Sequence, residues 1–470
     1  MCFLLDELCK NVVLGLLLIL SIYSYVLYLL YMPRFIDLFV SELRRSSGRF
    51  RELAGFREEC RGLYECFCDY WLGLPNLSRF DGDVFCVDSS DGVIELGSGV
   101  AVHVCRGLGL SRKGVEVRRL AVNYFYAPAR RVDLVLFRGR FREHLEHLVA
   151  LEYLEKGYSG VVVLDGSLYG RTIHLPKDTG VPGYQGFIVD YIDVLSRLFS
   201  ESFKRGVPIL GLAKDSRSRI FGNFLLFEEL KRRLSRIDAE SSLRNMIIEL
   251  WFDVHKNPRA VFQRLQKIAD KERALEPVLE IFREAAVKRP DVKIVMEMAQ
   301  GAGFTRPLLL GIAKPLLNSL VDALLSNALE DYVRKNFSQA LAENPDFLSK
   351  ALRVLPKVLE YPAIFSFYVI FEKGDLPLRV DVPSWVLGVK LNMGDTFDPV
   401  IELDWNALRE ILSLFYSLYG GPKHYNVLME EVDSKVKITS ETLVIYERTV
   451  EKELGILVRH TRDVSRVRFP

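Results

Sequence analysis

Residues 83–95 read DVFCVDSSDGVIE. Apolar positions lead into Asp-Ser-Ser-Asp-Gly, and apolar residues resume at once. Asp-Gly between two such runs is the strongest short hairpin signal, so the local reading ends a buried strand at Asp88 and gives Asp91 to a turn. The same pattern also suits the first arm of a metal site, because it presents a carboxylate where a buried strand stops. The downstream sequence bears on that choice. Residues 99–107 (GVAVHVCRG) and 116–128 (EVRRLAVNYFYAP) are rich in β-branched and aromatic residues and separated by glycine-bearing turns, so an antiparallel meander is expected. A helix at about 138–157, ending at Gly157, precedes VVVLD (161–165), a continuous apolar run that suits a strand buried on both faces. A second helix at about 187–204 leads to the strand PILGLAKD (208–215). Meander, helix, strand, helix, strand is the order of an α/β sheet with mixed strand directions.

The flanks are organised differently. Residues 33–80 alternate apolar and charged positions at helical spacing (Phe35, Leu38, Phe39, Leu43) and predict an N-terminal helical segment. Long amphipathic patterns such as FLLFEELKRRLSRI fill 223–360 and predict a large helical insertion. Strand character returns at AIFSFYVIFEKG (363–374) and SWVLGVKLN (384–392), followed by a helix at 405–419 and a closing helical or strand segment. The expected divisions are therefore 1–32, 33–80, 81–222, 223–360 and 361–470. Val12 to Met32 carries no charge and is long enough to span a bilayer. Lys10 on one side and Arg34, Arg44 and Arg45 on the other place the bulk of the chain in the cytoplasm if that segment inserts. The competing reading starts the protein at Met32, which opens an amphipathic helix of its own.

Composition narrows the function only a little. The 470 residues are 49% hydrophobic and 26% charged, and the net charge of +2 neither requires nor excludes nucleic acid, since basic and acidic residues segregate in space. Basic clusters occur at 44–51, 129–142 and 459–468, each of which reads singly as a solvated surface. All seven cysteines (Cys2, Cys9, Cys60, Cys66, Cys68, Cys86, Cys105) lie in the first 105 residues and none forms the paired CxxC arrangement of a structural zinc site, so reduced, intracellular thiols are expected. There is no GxxxxGK[ST], and GLGLSRKG (107–114) lacks the third glycine of a dinucleotide fingerprint.

The acids carry the chemistry. Asp88 and Asp165 each follow an apolar strand and precede glycine and serine, and each alone is an ordinary Asx-turn. Two carboxylates converging from one sheet repel unless a cation separates them, and Mg²⁺ or Mn²⁺ takes such oxygen ligands. The helix between them offers Glu146, which shares a face with Val149, Ala150 and Tyr153, whereas Glu143 and Glu155 read as solvated charges. Glu146 either meets a metal or pairs with Arg142 one turn earlier. His144 and His147 read as polar helix residues. Lys214, before an Asp-Ser-Arg-Ser turn, is placed to neutralise a phosphate oxygen; Tyr169, Arg171 and Arg379 are candidate DNA contacts or plain surface residues.

FCVDSSDG (85–92), the helix carrying Glu146, VVVLDGSLYGR (161–171), GLAKDSRS (211–218), GFTRPLLLG (303–311) and LRVDVP (378–383) together resemble, in order and spacing, the NurA nucleases of archaea and some bacteria. The resemblance covers roughly 80–440. It implies an α/β, RNase H-like mixed sheet flanked by helices. It implies Asp88, Glu146 and Asp165 as catalytic metal ligands for Mn²⁺ or Mg²⁺; Lys214 joins them as a catalytic candidate on its own chemistry. The family's fourth ligand is a histidine; in YNVLMEEVDSKVKIT (425–439) that position is Asp433, and an aspartate serves the same hard ions. The implied activity is 5′–3′ exonuclease and single-strand endonuclease cleavage of DNA in end resection and recombinational repair. The implied partners are single- and double-stranded DNA ends, a HerA-type hexameric ATPase and a second copy of the chain. The alternatives are a non-catalytic, membrane-tethered DNA-binding adaptor of the same fold and an RNase H-like ribonuclease.

Overall fold

A computed structural model describes residues 35–454 apart from 56, 57, 238, 239, 255 and 271. The apolar run 12–32, a start at Met32 and the basic cluster 459–468 lie outside the described residues, and no helix among those described is long and apolar enough to cross a membrane. The chain divides into two compact units, 1–62 and 63–470. In the first, the expected helix is present at Ile36–Ala54, with an apolar stripe that includes Phe39, Leu43 and Phe50.

The second unit is built on a ten-stranded sheet. Its strands are β1 (Trp71–Leu72), β2 (Val84–Glu95), β3 (Val100–Ser111), β4 (Glu116–Tyr126), β5 (Val161–Asp165), β6 (Ile209–Ala213), β7 (Gly303–Thr305), β8 (Leu308–Leu310), β9 (Ile364–Ile370) and β10 (Leu378–Pro383). They lie in the order β1-β7-β9-β10-β6-β5-β2-β3-β4, with β8 also on β9. The meander β2–β3–β4 is antiparallel, and β2, β5 and β6 run parallel. The run β4-β3-β2-β5-β6, with helices in the crossovers, is an RNase H-like core; β10 and β9 extend it antiparallel. β5 and β6 are buried along most of their length, as their continuous apolar runs require of central parallel strands.

One face of the core is covered by α1 (Arg131–Glu155) and α3 (Phe187–Arg205), which pack on each other around Phe137, Phe141 and Phe187. α2 (Leu168–Thr172) is a single turn directly after β5. On the other face, α4 (Trp405–Leu418) and α5 (Val427–Val436) bury Leu412, Phe415, Met429 and Val432 against Cys86, Val163, Phe367 and Val380. α6 (Ser440–Leu454) closes over Ile94, Val102 and Val104 through Leu443, Tyr446 and Val450. Cys86 and Cys105 are fully buried and free, as small core residues.

Three expectations need correction. Asp91-Gly92 is not a turn: β2 continues through it to Glu95, paired with β3 throughout, and the chain turns at 96–99 instead. The strand survives an acid there because Asp91 is buried among donors: His103 Nε2 at 3.1 Å, Arg138 Nε at 2.5 Å and Arg142 Nε at 3.5 Å. Residues 384–392 are not a strand either. Ser384–Leu387 is a 3-10 turn that ends at Gly388 with φ +80°, and the strand of this region is the preceding LRVDVP, β10. Finally, 223–360 is mostly helical, but GFTRPLLLG contributes β7 and β8 to the far side of the sheet.

Candidate active site

β2 and β5 pair only as far as Val87 and Leu164, and β5 then stops at Asp165. Beyond that register no strand among the described residues pairs with β2 on this side, so Asp88 and Asp165 stand where the two strands part. Side chains alternate along a strand. Asp88, in phase with Cys86, faces α5, while Ser89 and Asp91 face α1. Ser89 Oγ accordingly donates to Glu146 Oε1, which α1 delivers from an otherwise apolar stretch of its surface. On the opposite face, Asn426 caps α5 by accepting from Met429 N at 2.9 Å, and Ser90 Oγ accepts from Ile438 N just past its end at 2.9 Å. These bonds fix the helix that carries Asp433.

The acids feel one another. Burial, then the charges of Glu146 and Asp165, push the Asp88 carboxyl up to about 8; Asp433 adds to the effect. Burial also raises Glu146, against the pull of Arg171, and raises Asp165, against Lys214 and Arg171. Lys214, just past β6, donates to the Tyr425 hydroxyl at 3.3 Å and lies 5.1 Å from that ring's centroid. Tyr425 is half-buried, and its hydroxyl is raised by burial and by Asp165 and Asp88. Asp88, Glu146, Asp165, Lys214, Tyr425 and Asp433 therefore form one electrostatic group, with Asp433 on its solvent side.

Other expected contacts are inside the protein. Arg171 is buried: it donates to Glu146 Oε2, to the Asp165 carbonyl at 2.6 Å and toward His147 Nε2 at 3.1 Å, so it is not a DNA contact. Tyr169 is buried with its hydroxyl donating to the Gly311 carbonyl at 3.1 Å. Arg379 is buried against Asp381 at 2.9 Å and Ser366 at 2.9 Å. All three are long side chains whose polar ends are taken up inside the protein: Arg171 by another helix, Tyr169 by a remote carbonyl, and Arg379 by Asp381 two residues along its own strand and by Ser366 on β9. Glu146 takes Arg171, not Arg142, which turns to Asp91. His147 is fully buried. Glu143 is no solvated charge: burial disfavours its ionisation, but His174 at 2.7 Å, the Arg171 charge and Tyr191 at 2.6 Å outweigh that and hold it at about 2.

Carboxylates without sulfur suit a hard divalent cation, and the repulsion that raises Asp88 is what such an ion relieves. In the arrangement described, both Glu146 oxygens are engaged by Ser89 and Arg171, and among the described residues no three His, Cys, Asp or Glu side chains close on a single metal position. Ser89, Asp381 and Tyr425 lie inside FCVDSSDG, LRVDVP and YNVLMEEVDSKVKIT, but no role for any of the three is legible there, and nothing local marks Tyr425 itself. The one available signal is Asn426, whose N-cap position starts α5 and places Tyr425 just outside it.

Residues 82–438 match the NurA domain. The chain belongs to the NurA domain family. The matched span opens two residues before β2 and ends two residues after α5, so Asp88, Glu146, Asp165, Lys214 and Asp433 all fall inside the NurA domain. No match is found among curated proteins. Among solved structures, the chain is similar to the NurA nuclease from Sulfolobus solfataricus at 11% identity and TM-score 0.49, covering 90% of this chain and 99% of that one. A NurA bound to dAMP and manganese is 16% identical with TM-score 0.37, covering 92% and 98%. The catalytic domain of human Endonuclease V is 12% identical with TM-score 0.24, covering 85% and 100%.

Proposed function

We propose that this chain is a Mn²⁺- or Mg²⁺-dependent deoxyribonuclease in which Asp88, Glu146, Asp165 and Asp433 hold the metal. The observation that carries this reading is the grouping of the acids where β2 and β5 part, with Asp88 pushed up to about 8 by burial and by Glu146 and Asp165. Manganese is carried over from the NurA relative described with dAMP and manganese, through membership of the same family. A divalent cation bound there supplies charge neutralisation for the scissile phosphate and a more acidic water. Lys214 offers an ammonium to a phosphate oxygen, and Tyr425 orients that ammonium through its hydroxyl. From the family resemblance we also infer a HerA-type hexameric ATPase as partner and a homodimer of this chain, acting in end resection and recombinational repair; with no GxxxxGK[ST] in the sequence, any ATP-driven step belongs to that partner.

The test is cleavage of single-stranded and blunt double-stranded DNA with Mn²⁺, with Mg²⁺ and with EDTA, labelled at each end to read polarity; 5′–3′ exonuclease and single-strand endonuclease products are expected. Asp88→Ala and Asp165→Ala should abolish it, and cleavage unchanged by both sinks the assignment. A preference for RNA moves the reading to a ribonuclease. The second reading is a non-catalytic DNA-binding adaptor, favoured by the engagement of both Glu146 oxygens by protein donors. DNA binding without cleavage under any metal supports it.

A further inference from the structure

Asp381 lies on β10, two strands away from Asp165, opposite Gly211 of β6 and Ser366 of β9, and is fully buried. Its Oδ2 accepts from Ser167 Oγ at 2.6 Å and from Tyr169 N at 3.0 Å, and its Oδ1 accepts from Arg379 Nε at 2.9 Å. A buried aspartate is tolerated only when paired and hydrogen-bonded, and here both bonds to Oδ2 come from the turn that follows Asp165. That turn is drawn across β6. Gly166, at φ +91°, donates to the Leu212 carbonyl at 2.8 Å, and Ser167 caps α2 by accepting from Gly170 N at 2.9 Å. The crossing is close: a Cβ on Gly211 meets Leu168 N at 2.5 Å and the Gly166 carbonyl oxygen at 2.8 Å. One turn later Arg171 reaches back from α2 to the Asp165 carbonyl and to Glu146.

We infer that Asp381 is a positioning residue of the acidic site: from β10 it clamps the 166–169 turn, and through that turn it sets Asp165 directly and Glu146 by way of Arg171. The inference rests on the nuclease reading for its consequence, but the clamp itself is readable without activity. Asparagine at 381 replaces one acceptor oxygen by a donor, which then faces the donors Ser167 and Tyr169 or the Arg379 guanidinium. Arg379 keeps the Ser366 bond, so the strand pairing has a reason to survive.

The full chain serves as the test protein, with Asp381→Asn and the milder Ser167→Ala. Hydrogen exchange of peptides covering 165–172 is the first readout, with α3 as internal reference. Mn²⁺ affinity from the free-ion EPR signal is the second, and the kcat-against-KM split on DNA is the third. The clamp predicts faster exchange confined to 165–172 and about 10–100-fold weaker Mn²⁺ binding, the range for residues that orient ligands. It also predicts a fall in kcat with KM for DNA unchanged. If Asp381→Asn fails to fold, Ser167→Ala decides, with the same direction and a smaller size. Unchanged exchange and unchanged Mn²⁺ binding in a folded variant overturn the inference, as does loss spread evenly over the chain. Absence of Mn²⁺ binding by the unaltered chain, with the local exchange difference intact, overturns the nuclease reading and keeps the clamp.

Discussion

Arg171 and Glu146 form a buried ion pair between α2 and α1, with side-chain exposures of 2% and 6%. Burial raises the Glu146 carboxyl, and the Arg171 charge pulls against that rise. Removing one partner leaves the other as an uncompensated buried charge, a change worth about 3–5 kcal/mol. Arg171→Ala should therefore lower stability to urea by that amount. Glu146→Gln, which keeps the shape and one acceptor, should cost less. Equilibrium unfolding of both variants checks the order.

Asp91, three residues along β2 from Asp88, organises a second network. It accepts from His103, which is fully buried, and holds Arg138 and Arg142 on α1. His103 in turn meets Asn123 at 3.1 Å, and Asn123 accepts from the Tyr184 hydroxyl at 3.1 Å, so the network ties the sheet to the loop before α3. Asp91→Asn should lower stability by about 1–3 kcal/mol, the scale for losing hydrogen bonds to a charged group. Thermal unfolding measures it, and His103→Ala on top of Asp91→Asn should add less than its effect alone.

Acid should expose the same economy of charge. Burial opposes ionisation of Glu143 but its partners hold it at about 2, and Asp91 is likewise held below the usual range by His103 and Arg138 against burial. A carboxyl whose folded value lies below its unfolded value stabilises the fold above the unfolded value, about 4, and loses that contribution as pH falls toward the folded one. Stability should thus drop between about pH 4 and 2. Glu143→Gln should flatten that limb while leaving the neutral-pH slope unaltered, as measured by urea midpoints across the range.

The sequence speaks clearly where the physics is local. Apolar runs with β-branched residues and glycine turns mark β2, β3, β4, β5 and β6, and the helical periods mark α1 and α3. Asp88, Asp165 and Glu146 stand out because acids next to buried runs need a partner. What stays hidden depends on distant partners. Asp-Gly at 91–92 has turn chemistry, yet three side chains from β3 and α1 make a strand acid affordable there. Arg171 and Tyr169 look like surface residues until Glu146 and Gly311 are brought to them, and Arg379 until β9 and β10 pair and bury it with Asp381 and Ser366. β7 and β8 are too short for any periodicity to register, and 384–392 has strand composition but a left-handed Gly388.

Gly211 tests the crossing of the Asp165 turn over β6 by a different route. A methyl group at 211 meets backbone atoms of 166 and 168, which cannot swing aside as a flexible side chain does. Gly211→Ala should destabilise by about 1–3 kcal/mol, as overpacking does. Displacing the turn should also slow cleavage more than the stability loss alone implies. Comparing the fraction folded with the residual rate separates the two effects, and Gly139→Ala, where nothing lies within 4 Å of the added carbon, is the control.

Lys214 separates chemistry from folding. It is only half-buried, and its ammonium touches Tyr425 rather than a buried acid, so Lys214→Ala should change stability by no more than about 0.5 kcal/mol. Its charge is nevertheless the largest influence holding Asp165 down against burial. Without it Asp165 loses that opposing charge and, on the proposed reading, a bound phosphate loses the Lys214 ammonium, so kcat should fall about 100-fold, the lower end for removing one preorganised donor. Tyr425→Phe keeps the ring under the ammonium and removes only the hydroxyl, so its loss should be smaller, about 10-fold. Single-turnover cleavage at saturating Mn²⁺ measures both, and Lys214→Arg tests the geometry: it restores charge, but its planar fork does not reproduce a point ammonium above the Tyr425 ring. Full activity in Lys214→Ala would remove Lys214 from the chemistry and leave its contact with Tyr425 as packing.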